Sequence, residues 1–363
     1  MEPLVSIIIP AYNAQESITE ALRSAIAQTW KRKEIIVVDD GSTDQTAELA
    51  RRFASKQVAI VSTENRGLSA AVNYGFRLCQ GDYIQELDAD DLLAQDKIER
   101  QLAAARELDN RRVLFSSPWA YFYYRTRHAR FVPSYLWQDL SPLEWLLGKM
   151  AKCLHMQNAT WLVSRELAEA AGPWNESLHY DQDGEYFARV LLASEGTRFV
   201  PGTEIFYRRP GISNISHIGN SDKKIDSLFL SMKLHIQYLR SLEESERVRK
   251  ACLTYMQNWY VNFYPGRPDL VAELQGLAAQ LQGRLEVPHL SWKYAWMRPM
   301  FGWKAAKWAD MALPQFKASC FRHCDKAMFS LEGRKEAVRH EVNAVRTKEH
   351  ETRGVRRWQR FSK

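Results

Sequence analysis

Cysteine is scarce and irregular: five residues in 363, Cys79, Cys153, Cys252, Cys320 and Cys324, an odd count without a repeated spacing. That excludes a disulfide framework as the organiser of the fold and is the pattern of reduced thiols in the cytoplasm. Long apolar runs are missing too. No segment reaches the roughly 20 residues of a membrane span. The start, "MEPLVSIIIP", carries no basic stretch ahead of its short apolar run, so neither a spanning helix nor a signal peptide is expected. Cys320, His323 and Cys324 lack a second ligand pair, which argues against zinc.

What remains is an ordinary globular composition, 45% hydrophobic and 26% charged, long enough for two or three units around a sizeable core. The net charge of +7 points to an anionic partner, with nucleotide, nucleic acid and acidic lipid all candidates.

The first part of the chain alternates. "LVSIII" (4–9) reads as a buried strand closed by Pro10, and residues 16–28 carry Ile18, Leu22, Ala25 and Ile26 at helical spacing. "EIIVV" (34–38) is a second strand; the chain then turns at Gly41, and Ser42 or Thr43 is expected to cap a helix bearing Leu49 and Phe53. "QVAIV" (57–61), a helix over 67–79, "YIQEL" (83–87) and a helix around Lys97 to Leu108 continue the series. Strands alternating with short helices predict an α/β fold with a mostly parallel sheet and helices on both faces. Ligands of such sheets lie beyond the carboxyl ends of the strands. Three strands end in polar signals, "PAYN", "DDGSTD" and "DADD", which this topology gathers on one edge.

The last of these is the most demanding. Asp88, Asp90 and Asp91 follow a strand closely, with Glu86 just upstream. Two unit charges about 5 Å apart repel by roughly 3 kcal/mol at an effective dielectric near 20. A divalent cation would offset that, and Mg²⁺ or Mn²⁺ suits an all-oxygen donor set. Each signal also has a plainer reading, since Asp39 and Asp40 could serve turn chemistry and the later acids could complement a helix dipole. Acidic clusters after two strands of one sheet favour a site.

Taken in order, "VSIIIPAYNAQESITEALRSAIAQTW", "EIIVVDDGSTDQT", "ENRGLSAAVNYG", "GDYIQELDADD" and "DQDGEYFARV" resemble glycosyltransferase family 2 on the GT-A fold, over about residues 3–216. The resemblance implies an inverting enzyme that moves a sugar from a nucleotide-sugar donor, expected to be a UDP-sugar, to a saccharide or lipid-linked acceptor, with Mn²⁺ or Mg²⁺ on the diphosphate. By this likeness Pro10, Ala11 and Tyr12 bind the nucleobase, with Tyr12 flanking it and Asp39 hydrogen-bonding it. Asp40 would lie near the ribose, and Asn65 and Arg66 near the nucleotide. Asp90 would be the direct metal ligand and Asp88 would meet the ribose or the metal's waters, with Asp91 beside them.

An acceptor hydroxyl needs a base, and the family's is an Asp six residues before an Arg. Counting back from Arg189 gives Asp183, flanked by Asp181 and Glu185. Trp174 could pack under an acceptor sugar ring or fill core, and Gln182 and Glu185 belong to the acceptor side by the same likeness. Departures are visible. Gln182 stands where a Glu often precedes the base, Val72 where an Arg is common, and the usual His after Tyr207 and Arg208 is out of register, leaving His217 as a metal or diphosphate candidate.

These readings divide the chain into a catalytic domain over 1–222 (nucleotide half about 1–115, acceptor half about 116–222), a helical extension over 223–285, and a basic aromatic region over 286–363. In the last, Trp292, Trp296, Trp303 and Trp308 interleave with Lys293, Arg298, Lys304 and Lys307, broken by Pro299 and Gly302. Two short amphipathic pieces of this kind suit the inner face of a cytoplasmic membrane, or form a packed subdomain with basic rims. The final thirty residues are expected to be a solvated helix or tail. Two other classes compete: a nucleotidyltransferase, which would show an early glycine-rich basic loop that "PAYNAQESI" lacks, and a non-catalytic binder of membrane or nucleic acid, supported by the basic tail alone.

Overall fold

The computed structural model describes residues 2–209 and 221–288 and, beyond them, parts of 293–332. The chain divides into two units, Met1–Phe122 with Ala129–Leu290, and Tyr123–His128 with Ser291–Lys363.

In the first unit the alternation unfolds as read. β1 (Val5–Ala11), α1 (Ile18–Ile26), β2 (Lys33–Asp39), α2 (Thr46–Arg51), β3 (Val58–Ser62), α3 (Leu68–Leu78) and β4 (Tyr83–Glu86) follow one another. β5 (Leu92–Leu93) and α4 (Lys97–Leu108) come next. β1 is buried at all seven residues, as expected of a strand covered on both faces, where an apolar run replaces alternation. The sheet order is β3-β2-β1-β4 with the short β9 (Val163–Ser164) added antiparallel at the edge, the other four strands running parallel. Register sets Ala11 beside Asp39 and Asp39 beside Ser62, so the carboxyl ends of three strands share one level. Gly75 lets α3 press on this sheet: a Cβ there would come within 2.6 Å of Ile8 Cγ2.

One expected cap is corrected. α2 starts at Thr46 and neither Ser42 nor Thr43 caps it. Those side chains and their neighbours tie two loops together instead: Asn13 N donates to Ser42 Oγ (3.0 Å), Thr43 N donates to Asn13 Oδ1 (2.9 Å), and Asp44 Oδ1 accepts from Thr46 N (2.9 Å). The polar residues after β2 thereby fix the loop after β1.

A second layer completes the unit. β6 (Val113–Ser116) and β7 (Trp119–Phe122) precede β8 (Arg130–Phe131), α5 (Pro142–Ala151) and a short 3-10 turn at Asn158–Thr160. β9 leads into α6 (Arg165–Ala171), then α7 (Gln182–Ala193), β10 (Gly196–Phe199) and β11 (Ile205–Arg208). β11 lies between β5 and β7, which carries Arg208 back to the acidic turn after β4. The helices expected from 223 onward are α8 (Asp222–Leu242), α9 (Glu246–Trp259) and α10 (Pro268–Gln280); α8 packs on α7 and α9 on α5 within this same unit.

Beneath the acidic turn the core is polar. Lys97 is fully buried, its Nζ donating to Gln85 Oε1 and to Gln101 Oε1 (2.7 Å), and burial pushes its ammonium well below the usual range. The two amides pass the connection on, Gln85 Nε2 to the Ala159 carbonyl (2.9 Å) and Gln101 Nε2 to that of Thr160 (3.1 Å), pinning the 3-10 turn against β4.

In the second unit, residues 316–332 are helical, and Asp325 accepts from the backbone amides of Tyr124 (2.9 Å) and Arg125 (3.2 Å) and from Arg125 Nε (2.7 Å).

Candidate active site

The acidic turn after β4 is built from both layers. Oxygens of Asp88, Asp90 and Asp91 all lie within 4.8 Å of one another. Asp91 is wholly buried: Oδ2 accepts from Gln157 Nε2 (2.6 Å) and Oδ1 from the Arg208 amide (2.8 Å). Arg208 in turn donates to the Asp90 carbonyl (2.8 Å) and to Glu20 (2.6 Å). Asp91 therefore ties the turn to β11 and the 3-10 turn, while Asp88, half-buried, accepts one bond from Asn158 Nδ2 (3.0 Å).

Electrostatically the turn is over-supplied with negative charge. Burial, then Asp90, pushes the Asp88 carboxyl up to about 7. Burial, then Asp90 and Asp88, drives Asp91 well above the carboxylate range against the pull of Arg208. Glu86, on the strand itself, is also raised well above that range, by burial and then by Asp88, although Trp174 Nε1 donates to its Oε1 (3.1 Å). The other Glu86 oxygen is buried without a partner among the described residues. A hard divalent cation fits this set: the donors are all oxygen, clustered, and raised by mutual repulsion that a positive charge reverses.

On the nucleotide side, Pro10 and Ala11 are buried and Tyr12 projects with 48% of its surface exposed, available as a ring platform. Asp39 is buried, its Oδ1 accepting from the Ser42 amide (3.2 Å). Asp40 has a different occupation from the ribose contact expected of it. Its two oxygens accept from the amides of Arg66 (2.9 Å) and Gly67 (2.8 Å), which shapes the loop ahead of α3. Asn65 and Arg66 lie exposed on that loop, Arg66 reaching Glu176 (3.2 Å). Val72 is buried and offers no polar contact where an arginine is common.

The acceptor half centres on the start of α7. Asp181 enters it with φ 58°, a left-handed conformation, and Gly184 makes room, since a Cβ there would fall 2.2 Å from Asp181 Oδ1. Asp183, half-buried, is pushed up to about 6 by burial and then by Asp181, with Lys149 opposing. Its charge adds, after the larger effects of burial and nearer groups, to the upward push on both Glu86 and Asp88.

The three acceptor candidates are placed less simply. Trp174 is core: 3% exposed, stacked on Tyr186 at 4.8 Å and bonded to Glu86, it leaves no face for a sugar ring. Glu185 is 2% exposed and committed to Arg189 (2.7 Å) and Tyr238 Oη (2.7 Å), an internal ion pair in place of the acceptor contact expected. Gln182 is buried but borders a cleft of about 220 Å³ shared with Arg66, Glu176, His179 and Lys223. His217 lies outside the described residues. Asn158, Gln157 and Lys149 went unnoticed in the sequence, and Arg208 stood there only as a landmark for the displaced His, without its role at the acidic turn. Each is remote from the motifs it serves and carries no spacing that would mark it.

A sheet ordered β3-β2-β1-β4, an acidic turn at its carboxyl edge and a second layer behind it define the GT-A fold. Residues 6–167 match the model of glycosyl transferase family 2. An uncharacterized glycosyltransferase of Rickettsia typhi is 35% identical over 192 residues, 53% of this chain and 60% of the relative. A chondroitin synthase of Escherichia coli is 42% identical over 99 residues, 27% of this chain and 14% of that protein. The chain thus spans about 60% of the length of the Rickettsia relative. The crystal structure of S. aureus TarS 1-349 superposes with a TM-score of 0.62 at 16% identity, covering 76% of this chain and 81% of that one, a likeness of fold.

Proposed function

We propose that the protein is an inverting glycosyltransferase that moves a sugar from a nucleotide diphosphate sugar, preferentially a UDP-sugar, to a hydroxyl of a saccharide or lipid-linked acceptor. The observation that carries this reading is the meeting of Asp183 with the acidic turn: a base candidate and a cation-binding turn within electrostatic reach of each other, at the carboxyl edge of a nucleotide-binding type of sheet. The names of the relatives agree, and the TarS neighbour was crystallised with UDP-GlcNAc.

In this mechanism Tyr12 and Asp39 orient the base, and the loop shaped by Asp40 borders the donor. Asp90 and Asp88 would hold Mn²⁺ or Mg²⁺, which when bound supplies a Lewis acid for the departing diphosphate. Asp91 keeps the turn in place. Asp183 accepts the proton of the acceptor hydroxyl as its oxygen attacks the anomeric carbon from the face opposite the leaving group, which inverts that centre. A carboxyl held at about 6 is largely ionised at neutral pH yet basic enough to take the proton. A nucleotidyltransferase would lack use for this second carboxylate, and a pure binder would need neither.

The test is slow hydrolysis of a panel of nucleotide-sugars by the full chain with Mn²⁺. One UDP-sugar is expected to be cleaved well above the others. No cleavage of any of them, with nucleoside triphosphates turned over instead, favours nucleotidyl transfer.

The place of work is proposed as the inner membrane face, reached peripherally. The helix over 316–332 exposes Phe316, Phe321, Met328 and Leu331 alongside Lys317 and Lys326, and among the described residues no helix is long and apolar enough to cross a membrane. Trp303 and Lys307 are described and Trp292, Trp296, Trp308, Arg298 and Lys304 lie outside the described residues. Each basic side chain near an anionic leaflet contributes roughly 1 kcal/mol, screened by salt. The chain is expected to sediment with anionic vesicles at low salt and to leave them at high salt; indifference to such vesicles removes the membrane from the reading.

A further inference from the structure

Behind the first turn of α7 lies a chain of polar groups drawn from two other helices. Lys149 of α5, 6% exposed, places its Nζ 2.8 Å from Nε2 of His235 on α8, a ring with no exposure at all. An ammonium only donates, so Nε2 holds the lone pair and the ring proton sits on Nδ1, 2.9 Å from the Ser231 carbonyl to which it donates. The Ser231 hydroxyl donates to Asp181 Oδ2 (2.5 Å), and His235 Nε2 is 3.1 Å from the Gly184 carbonyl. One turn earlier on α8, Ser227 Oγ accepts from the amides of His179 (2.8 Å) and Tyr180 (2.9 Å). The approach to α7 and its first turn are thus braced by α8, a helix beyond the family match.

Lys149 also matters by charge. The groups that act on Asp183, or on which it acts, are Asp181 on its own turn, Tyr180 just ahead, Glu86 and Asp88 at the end of β4, and Lys149. Glu185, next on α7, is neutralised by Arg189, and His235 is pushed down to about 4 by burial and then by Lys149, hence uncharged. His155, after α5, is lowered by burial and then by Lys149 as well. Among the described groups that act on Asp183, Lys149 is the cation that opposes the acids, Arg189 being spent on Glu185.

We propose that Lys149, aligned by His235, is a positioning residue for the transfer: with α8 it holds the first turn of α7 in the orientation that brings Asp183 to the acceptor hydroxyl. This rests on the reading of Asp183 as the base. It makes α8 a working part of the active site, supplying the imidazole that keeps a buried ammonium in place.

The experiment uses the full chain and two readouts. Nitrogen NMR of the His235 ring, assigned by loss of its signals in His235→Gln, is expected to show the neutral Nδ1–H form in the wild type across neutral pH. In Lys149→Met, which keeps the volume and removes the donor, Nε2 is expected to gain the proton and donate to the Gly184 carbonyl. Hydrolysis of whichever of UDP-glucose, UDP-galactose and UDP-N-acetylglucosamine the wild type cleaves fastest should fall about tenfold in Lys149→Met near pH 7, with the affinity for that donor within about threefold. The acid limb of its pH profile should move to higher pH, because removing a positive charge near a carboxyl makes it easier to protonate. Lys149→Arg should recover part of the rate. A wild-type ring that is charged or in the Nε2–H form overturns the proposal even if the variant does not fold. So does a variant with wild-type rate and profile, provided Asp183→Asn is inactive. If the wild type cleaves none of the three sugars, or Asp183→Asn keeps its activity, the underlying reading fails first and takes this one with it.

Discussion

Asp183→Asn is expected to lower turnover about 100-fold or more while nucleotide affinity stays nearly unchanged. The substitution keeps the side chain's shape and removes only its ability to take a proton, so the loss should fall on the rate and spare donor binding. The surroundings of Asp183 make the prediction specific. Burial and Asp181 bring its carboxyl to about 6. Wild-type turnover should therefore decline as pH falls through about 6, where protonation removes the base, and hold above it. The Asn variant should lose that limb of the profile along with its rate. Glu185 is no substitute, being buried against Arg189 and Tyr238. If Asp183→Asn retains most of its rate, the role passes to Asp181, whose second oxygen already accepts from Ser231.

How far these residues could be read from sequence depends on where their partners lie. β1 and α4 were legible because the information is local: a continuous apolar run in the first, and helical spacing from Lys97 to Leu108 in the second, which the structure reproduces. The acidic turn was legible as a cluster, but its division of labour was not. Asp91 became a structural residue only because β11 returns the Arg208 amide to it, 117 positions further along the chain. Lys97 opens an amphipathic helix and would pass for a surface lysine; the amides of Gln85 and Gln101 that receive it are visible only once β4 and α4 are packed. Trp174 reads in the sequence as either a platform for an acceptor ring or core, and Glu185 as acceptor-side by likeness; the fold buries both, through Glu86 for one and through Arg189 and Tyr238 for the other. Motifs report which residues are needed near a site. They say little about which of them touch the substrate and which hold the others still.

Asp90→Ala is expected to abolish turnover and metal-dependent nucleotide binding while leaving the fold intact. The reason lies in how the three aspartates are tied. Asp91 spends its two oxygens on Gln157 and Arg208, and Asp88 accepts from Asn158, whereas the turn around Asp90 is held through its backbone carbonyl by Arg208. Removing the Asp90 side chain therefore leaves the clamp on the turn in place. It also removes the neighbouring charge that, after burial, raises both Asp91 and Asp88, which relieves repulsion within the turn. The same repulsion predicts a pH dependence. Asp88 binds its proton up to about 7 in the folded chain, well above an ordinary carboxyl, so between those limits the folded apoprotein carries protons the unfolded chain has released. Its stability should fall as pH rises toward and through about 7, the opposite of a salt-bridged carboxylate. A cation that replaces those protons should then stabilise more at about pH 8 than at about pH 5. Thermal melts with Mn²⁺ and with chelator at the two pH values, on wild type and Asp90→Ala, read this directly, and calorimetry with UDP reads the nucleotide side. The expected pattern is a metal-induced rise in melting temperature that grows with pH in the wild type and vanishes in the variant. UDP affinity and turnover unchanged in excess chelator would falsify the metal assignment, and the acidic turn would then be a purely structural device clamped by Arg208.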